Sequence, residues 1–453
     1  MRAPHLACLV GSLTLAAACG GGGGNDAPPA LIPGGGIHDP GIDGVLNVYV
    51  IDADTDAPIA GATVKIGDTI ATTDATGLVV AHDVVGAQTI VATASGHAAA
   101  MWIGADGANV TIPLDVSPAP APGRPPQAQL AGTIDGWDAL PAPAAGHVRA
   151  ALVTYAQDRD LGARGNDLPQ PPAVGNVPAA ACVRLPAGTS PPCAWRLNAR
   201  AGTIGLGLVV IDIDGRGTPD ASDDVQTITG FAVRGPVVVV DGVNQSGVTM
   251  PLPPANSAVT ATVDLGAPMA PLSRAQAVVG LDLGTAGVLR FSTATLAENT
   301  VVAPSLSAFP GTTYELIGVA REAVDDGTAA QSIVRRRDIG SPSSLAIGEW
   351  LWPPTGLASD RVTASFTQGW PDAPYIMELD TAAATPQRVL SVAFLDGTSQ
   401  VTLPADLAPL PSGALTMRVT TLDTGSELDL RDFEVDALTD GAVRFAADQI
   451  PLN

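Results

Sequence analysis

The chain reads as all-β, with several antiparallel β-sandwich domains in tandem. Gly (50) and Pro (40) recur every few of the 453 residues, a spacing that interrupts helices and suits short strands joined by turns. Apolar and polar residues alternate at period two in segment after segment, which turns one face of each strand to a core. Apolar residues make up 46% but aromatics only 4%, so Val, Leu, Ile and Ala must do the packing. At roughly 150 residues per domain the length allows about three domains, more if they are small sandwiches.

The first residues carry an address. Arg2 precedes an apolar run from Leu6 to Leu15, then Ala16-Ala17-Ala18, Cys19 and the glycines Gly20 to Gly24. A basic start, a short apolar stretch and small residues at a cut are the layout of a secretory signal. The cysteine after the small residues resembles the lipobox of bacterial lipoproteins, which implies a signal peptide over 1–18 and acyl chains on Cys19. One departure is Ala16, where that family usually has Leu, Val or Ile; Leu15 stands one place further back. A secretory signal cut nearby and a membrane anchor are the alternatives, although the run is shorter than the roughly 20 residues a spanning helix needs. Gly20 in place of Asp implies outer-membrane sorting under the rule for that family. Residues 19–43, rich in Gly, Pro, Asn and Asp, are too poor in apolar groups for a core and read as a flexible tether. The whole is thus a set of sandwiches behind a lipidated flexible tether.

Residues 44–116 form the first unit. Leu46, Val48 and Val50 share one face, followed by Ala62, Val64 and Ile66, then Ile90, Ala92 and Ala94, then Val110, Ile112, Leu114 and Val116. The runs Asp54-Thr55-Asp56-Ala57-Pro58-Ile59-Ala60-Gly61-Ala62-Thr63-Val64, Thr73-Asp74-Ala75-Thr76-Gly77 and Ala94-Ser95-Gly96-His97 resemble the carboxypeptidase regulatory-like family, a transthyretin-like sandwich also grouped with carbohydrate-binding-like folds. Leu78 and His97 depart from that pattern, which prefers aromatics there. The resemblance implies turn roles for Gly61, Gly77 and Asp74 and brings no catalytic residues.

Alternating prolines over 117–127 read as a semi-rigid linker. Beyond it lie a sandwich at 128–255, a β-rich domain at 256–360 and a C-terminal sandwich at 361–453, with breaks at Pro253-Pro254 and Pro353-Pro354. Val237 to Val240 is a solid apolar run of the kind buried on both faces. Val334-Arg335-Arg336-Arg337-Asp338 reads as a solvated edge strand protected by charge. Cys182 and Cys193 remain once the leader is set aside, and in an oxidising compartment this pair predicts a disulfide closing a loop.

With 45 acidic against 22 basic residues and a net charge of −23, nucleic acid is excluded as a partner, because phosphate binding needs basic surface. Asp212, Asp214, Asp220 and Asp223 fall at positions one, three, nine and twelve of a loop with Gly217 at six, the oxygen spacing calcium takes. Arg216 at position five and Asp in place of the final Glu depart from it, and a solvated acidic turn after a strand is the other reading. Asp52, Asp54 and Asp56 are assigned to a hairpin turn. Trp350 and Trp352, two apart, share a face if the segment is extended, and an exposed pair would stack on sugar rings; burial in a core short of aromatics is the alternative. His38, His82, His97 and His147 are scattered, and no GxSxG, SxxK or Walker-type pattern appears, so a non-enzymatic reading is expected. The function predicted is a cell-envelope binding or adhesion module, with polysaccharide or another envelope protein as partner. A structural spacer and an unrecognised hydrolase are the competing classes.

Overall fold

A computed structural model describes residues 41–53, 55–118, 126–156, 179–186, 193–217, 224–323, 330–371, 373–383, 385–423 and 444–452. It is all-β: among these residues there is no α-helix, only strands and short 3-10 turns. Cys19, Asp54, Asp220 and Asp223 lie outside the described residues.

The first unit contains β1 (Asp43–Asp52), β2 (Thr63–Ile66), β3 (Thr69–Thr72), β4 (Leu78–Val85), β5 (Gln88–Thr93), β6 (Ala99–Ala105) and β7 (Asn109–Leu114). The period-two residues pack as their spacing requires: Leu46, Val48, Val50, Ala62, Val64, Ile90, Ala92, Val110, Ile112 and Leu114 are all fully buried in one cluster. Order β4-β1-β7 forms one layer, and β1 pairs with β7 in parallel. Asp74 closes its turn by accepting from Thr76 N at 2.8 Å and Leu78 N at 3.1 Å. Gly77 has φ +75°, and a Cβ there would stand 2.7 Å from the Val50 carbonyl oxygen, so both conformation and space demand glycine.

The second unit runs from β8 (Gln127–Ile134) and β9 (His147–Tyr155) through β10 (Ala179–Arg184), β11 (Trp195–Arg200), β12 (Gly202–Asp214) and β13 (Val225–Val239) to β14 (Gln245–Met250). Its layers are β10-β9-β12-β13 and β11-β8-β14, closed over a core holding Trp137, Trp195 and Met250. Cys182 and Cys193 are joined in a disulfide. Both sulfurs are buried in that core, and they tie β10 of one layer to the residue ahead of β11 in the other. The bond is therefore an interlayer staple as well as a loop closure. The run 237–240 is not buried on both faces: Val239 is buried against the core while Val238 and Val240 are exposed, because only one face of β13 is covered.

The remaining strands are β15 (Ala258–Thr262), β16 (Arg274–Asp282), β17 (Val288–Thr295), β18 (Thr300–Pro304), β19 (Thr313–Arg321), β20 (Gln331–Ile339), β21 (Thr355–Ser359), β22 (Thr363–Thr367), β23 (Tyr375–Thr381), β24 (Arg388–Phe394), β25 (Gln400–Thr402), β26 (Leu415–Asp423) and β27 (Arg444–Leu452). Tandem sandwiches do not remain separate here. One twelve-stranded sheet, ordered β17-β16-β19-β20-β27-β26-β23-β24-β6-β5-β2-β3, recruits strands from the first, third and fourth units. Smaller sheets cover it locally, β15-β18 over the core around Leu281 and Tyr314 and β21-β22-β25 over the core around Phe394 and Met417. The boundary expected at 360 instead falls inside the β21–β22 hairpin. Pro353-Pro354, just ahead of β21, is where the break stands, since proline cannot donate to a ladder.

The sheet also explains the basic run. β20 lies between β19 and β27, with Val334 paired to Arg444. Arg335 is buried and Arg336 exposed, so the run alternates and is only partly solvated, with its described pairing to β27 ending at Val334.

The first and fourth units meet strand to strand. β24 pairs with β6 in parallel, Leu390 opposite Ala99 through Phe394 opposite Ile103, and β6 is accordingly buried on both faces. A Cβ at Gly104 would lie 2.4 Å from the Asp396 Cβ. Lys65 Nζ lies 2.7 Å from Asp406 Oδ2, and Ser117 Oγ donates to the Arg388 carbonyl at 2.9 Å, so the start of the proline-rich linker is fastened to the fourth unit.

Candidate ligand-binding surface

Six tryptophans occur in the chain, and their placement separates structural from available aromatics. Trp102, Trp137, Trp195 and Trp350 are all buried. Trp350 is 2% exposed, and its Nε1 donates to the Leu265 carbonyl at 2.8 Å, satisfying the one polar atom of a core indole. Trp352 is 51% exposed. The two therefore do not form a shared platform. Residues 347–354 join no sheet, so the period-two argument, which needs an extended strand, does not apply, and the chain buries Trp350 and Leu351 while turning Trp352 out.

The backbone at Trp352 meets the turn that carries Trp370, which sequence spacing does not bring near it. Gly369 packs against the Trp352–Pro353 backbone so closely that a Cβ there would stand 2.5 Å from both carbonyl oxygens. Trp370, partly exposed, is held at its backbone by Tyr375, whose hydroxyl accepts from Trp370 N at 2.9 Å and donates to Trp370 O at 2.8 Å. Burial pushes the Tyr375 phenol above its ordinary range, so the hydroxyl keeps its proton. The Arg444 guanidinium stands 5.2 Å from the Trp370 ring centroid, within cation–π reach. Arg444 is itself oriented by Asp423, with Nε 2.7 Å from Oδ2, and by the Glu349 carbonyl at 3.4 Å. The result is one partly exposed indole, Trp370, beside a fixed guanidinium that also faces Glu349, with the exposed Trp352 on the adjoining turn. The signal in the sequence was the Gly-Trp-Pro turn at 369–371, but pairing it with Trp352 required the tertiary contact.

Asp212 and Asp214 lie at the end of β12, opposite Arg149 and His147 of β9. Arg149 Nη2 is 3.4 Å from Asp212 Oδ2, and His147 Nδ1 is 3.5 Å from Asp212 Oδ1. Asp214 Oδ1 accepts from Arg216 N at 2.9 Å. In this half of the loop a guanidinium faces Asp212; the other two expected ligands, Asp220 and Asp223, lie outside the described residues. Among the described residues no group of three or more His, Cys, Asp or Glu is placed to hold a metal.

Two glutamates are buried in the twelve-stranded sheet. Glu315 takes Arg335 Nε at 3.1 Å and Arg290 Nη2 at 3.3 Å, with Arg337 Nε at 3.6 Å. Arg290 reaches it across Gly280, the residue paired with both. Burial raises the Glu315 carboxyl above its usual range, against the pull of Arg290 and Arg337. Glu378 is paired with Arg388, which also takes Asp380 at 2.7 Å and, from the first unit, Asp115 at 3.3 Å. Burial pushes the Glu378 carboxyl up to about 7. Such shifts often mark active sites. Glu378 has no exposed surface, however, and its arginine spans the seam between units, so the arrangement is a structural joint.

No protein-family model matches the chain, and no curated protein does. Among solved structures it is similar to the Bacillus anthracis TIE protein, at 8% identity over 62% of this chain and 45% of that one, with a TM-score of 0.14. It is similar also to a tetra-tandem repeat in the extending region of a large adhesion protein, at 12% identity over 90% of this chain and 99% of the other, with a TM-score of 0.14. The chain thus spans less than half the length of the TIE protein. Overlays this loose carry no argument about function, and the fold rests on the sheets described above.

Proposed function

We propose that the chain is a non-enzymatic binding or adhesion module of the cell envelope, anchored to the outer membrane through lipid on Cys19, that takes polysaccharide on Trp352 and Trp370. The observation that carries this reading is the sorting of the tryptophans. Four are sealed in cores, and the two left available lie on turns that meet through Gly369, with Trp370 beside Arg444. Large exposed indoles are uncommon unless they serve contact, and a sugar ring offers an apolar C–H face to an indole and hydroxyls to the polar groups around it. The resemblance of residues 44–116 to a carbohydrate-binding-like fold agrees with this by analogy only.

A glycan array on the full chain tests it. Capture of one or more glycans that Trp352→Ala abolishes and Trp350→Phe leaves in place is the expected result. Capture unaffected by Trp352→Ala removes the site. No capture at all makes the envelope spacer the better reading, which the twelve-stranded sheet joining three units favours. Membrane fractionation of Cys19→Ser tests the anchor, with release from the outer-membrane fraction expected.

A further inference from the structure

Away from the tryptophans, β16, β17 and β19 leave a groove of about 480 Å³ at one end, lined among others by Arg274, Gln276, Thr295, Leu296, Arg321 and Glu322. We propose that this groove is a second subsite, which takes the carboxylate of an acidic sugar residue. The ligand being a sugar rests on the polysaccharide reading above; the anionic group rests on the groove alone.

Arg274 and Arg321 are direct cross-strand partners, and like charges directly opposite in a sheet repel. Both are exposed. Among the described residues no carboxylate lies within ion-pair distance of either. Every other arginine of this sheet with a carboxylate in reach uses it: Arg290, Arg335 and Arg337 on Glu315, Arg388 on Glu378 and Asp380, Arg444 on Asp423. In a chain with twice as many acids as bases, two adjacent guanidiniums without a counter-charge form a local excess of positive potential inside a ligand-sized concavity. Planar guanidiniums match a carboxylate in geometry as well as charge.

Alternation places Gln276 on the same face as Arg274, opposite Thr295 and Val319. An amide and a hydroxyl are thereby set beside the arginines for sugar hydroxyls, and Leu296, 49% exposed, supplies an apolar wall. Glu322 sets the limit. Its carboxylate lines the same groove and already raises the Asp448 carboxyl by repulsion, after burial, so a ligand carrying several negative groups is disfavoured while one with a single carboxylate at the arginine end is accepted.

Calorimetric titration of the full chain with a glucuronate-containing disaccharide, its neutral glucose counterpart and a heavily sulfated disaccharide tests the assignment. The acidic sugar is expected to bind about tenfold tighter than the neutral one, equivalent to about 1.4 kcal/mol, and the sulfated sugar more weakly than the glucuronate. The double variant Arg274→Gln/Arg321→Gln is expected to abolish that preference while leaving Trp352-dependent capture of neutral glycan intact. It should also keep or raise the thermal midpoint without ligand, since it relieves a repulsion. Equal binding of acidic and neutral sugars, a preference that survives the double variant, or sulfated sugar binding best overturns the subsite and leaves the tryptophan site standing. Arginine-dependent glucuronate binding without any neutral capture leaves the subsite standing and overturns the tryptophan reading. Binding of neither sugar overturns both.

Discussion

Glu315 and Glu378 occupy one sheet, each on a strand interior, at 1% and 0% exposure, yet their surroundings are charged in opposite senses. Glu315 stands among Arg290, Arg335 and Arg337 with Asp282 as the acidic neighbour, whereas Glu378 shares Arg388 and Arg418 with Asp380 and Asp115. Around Glu315 guanidiniums exceed carboxylates; around Glu378 carboxylates exceed guanidiniums. Burial pushes both carboxyls up, because the charged form loses water. The two joints respond differently to loss of a partner, since a carboxylate can take up a proton when its cation is lost and a guanidinium cannot shed one when its anion is lost.

The largest effect is therefore expected from Glu315→Gln. Removing one member of a buried ion pair costs about 3–5 kcal/mol, and here it leaves buried arginines that no pH relieves. Denaturant unfolding should show a loss of that size at pH 8, and it should persist at pH 5. A loss that vanished at pH 5 would remove the contrast between the joints.

Arg388→Met comes next, at about 3 kcal/mol at pH 8, and it should be smaller at pH 5, where Glu378 can protonate. Because Arg388 joins Asp115 of the first unit to β23, limited proteolysis after Ser117 should also speed up in this variant.

Glu378→Gln sharpens the same point through linkage. The folded carboxyl titrates near 7, above the roughly 4.3 of an unfolded glutamate. Between those values the native state holds a proton that the unfolded state has lost, so stability falls as pH rises through this window. The full shift corresponds to about 4 kcal/mol. The variant should flatten that part of the stability profile, and an unchanged slope between pH 4.5 and 7 would assign the titration elsewhere. Asp448, pushed up to about 6, contributes a smaller decline of the same sign.

The smallest stability effect belongs to Trp352→Ala. An exposed side chain with no core to lose should change unfolding by no more than about 0.5 kcal/mol, against the several kcal/mol expected of Trp350→Ala in its hydrogen-bonded core position.

Much of the fold was legible because strand alternation is a local property. The buried faces of β1, β2, β5 and β7 are those that period two marks out, and the turn around Asp74 and Gly77 announces itself in residue type. Other features were not legible because they depend on what lies alongside. Val238 and Val240 are as apolar as any core residue, but only one face of β13 is covered. Arg335 looks solvated until Glu315 is placed opposite. The turn of Trp352 meets the turn of Trp370 through Gly369, while its near neighbour Trp350 is buried.

By itself, then, the sequence determined an all-β chain with aliphatic cores, its turn positions, its cysteine pair and its acidic surface, all set by residue type and short-range spacing. Only the tertiary structure decided that three units share one sheet, which charges are sealed within it, which two tryptophans stay available and where two arginines stand with no carboxylate of the described residues in ion-pair reach. Each of those follows from contacts between residues tens to hundreds of positions apart, where local periodicity holds no information.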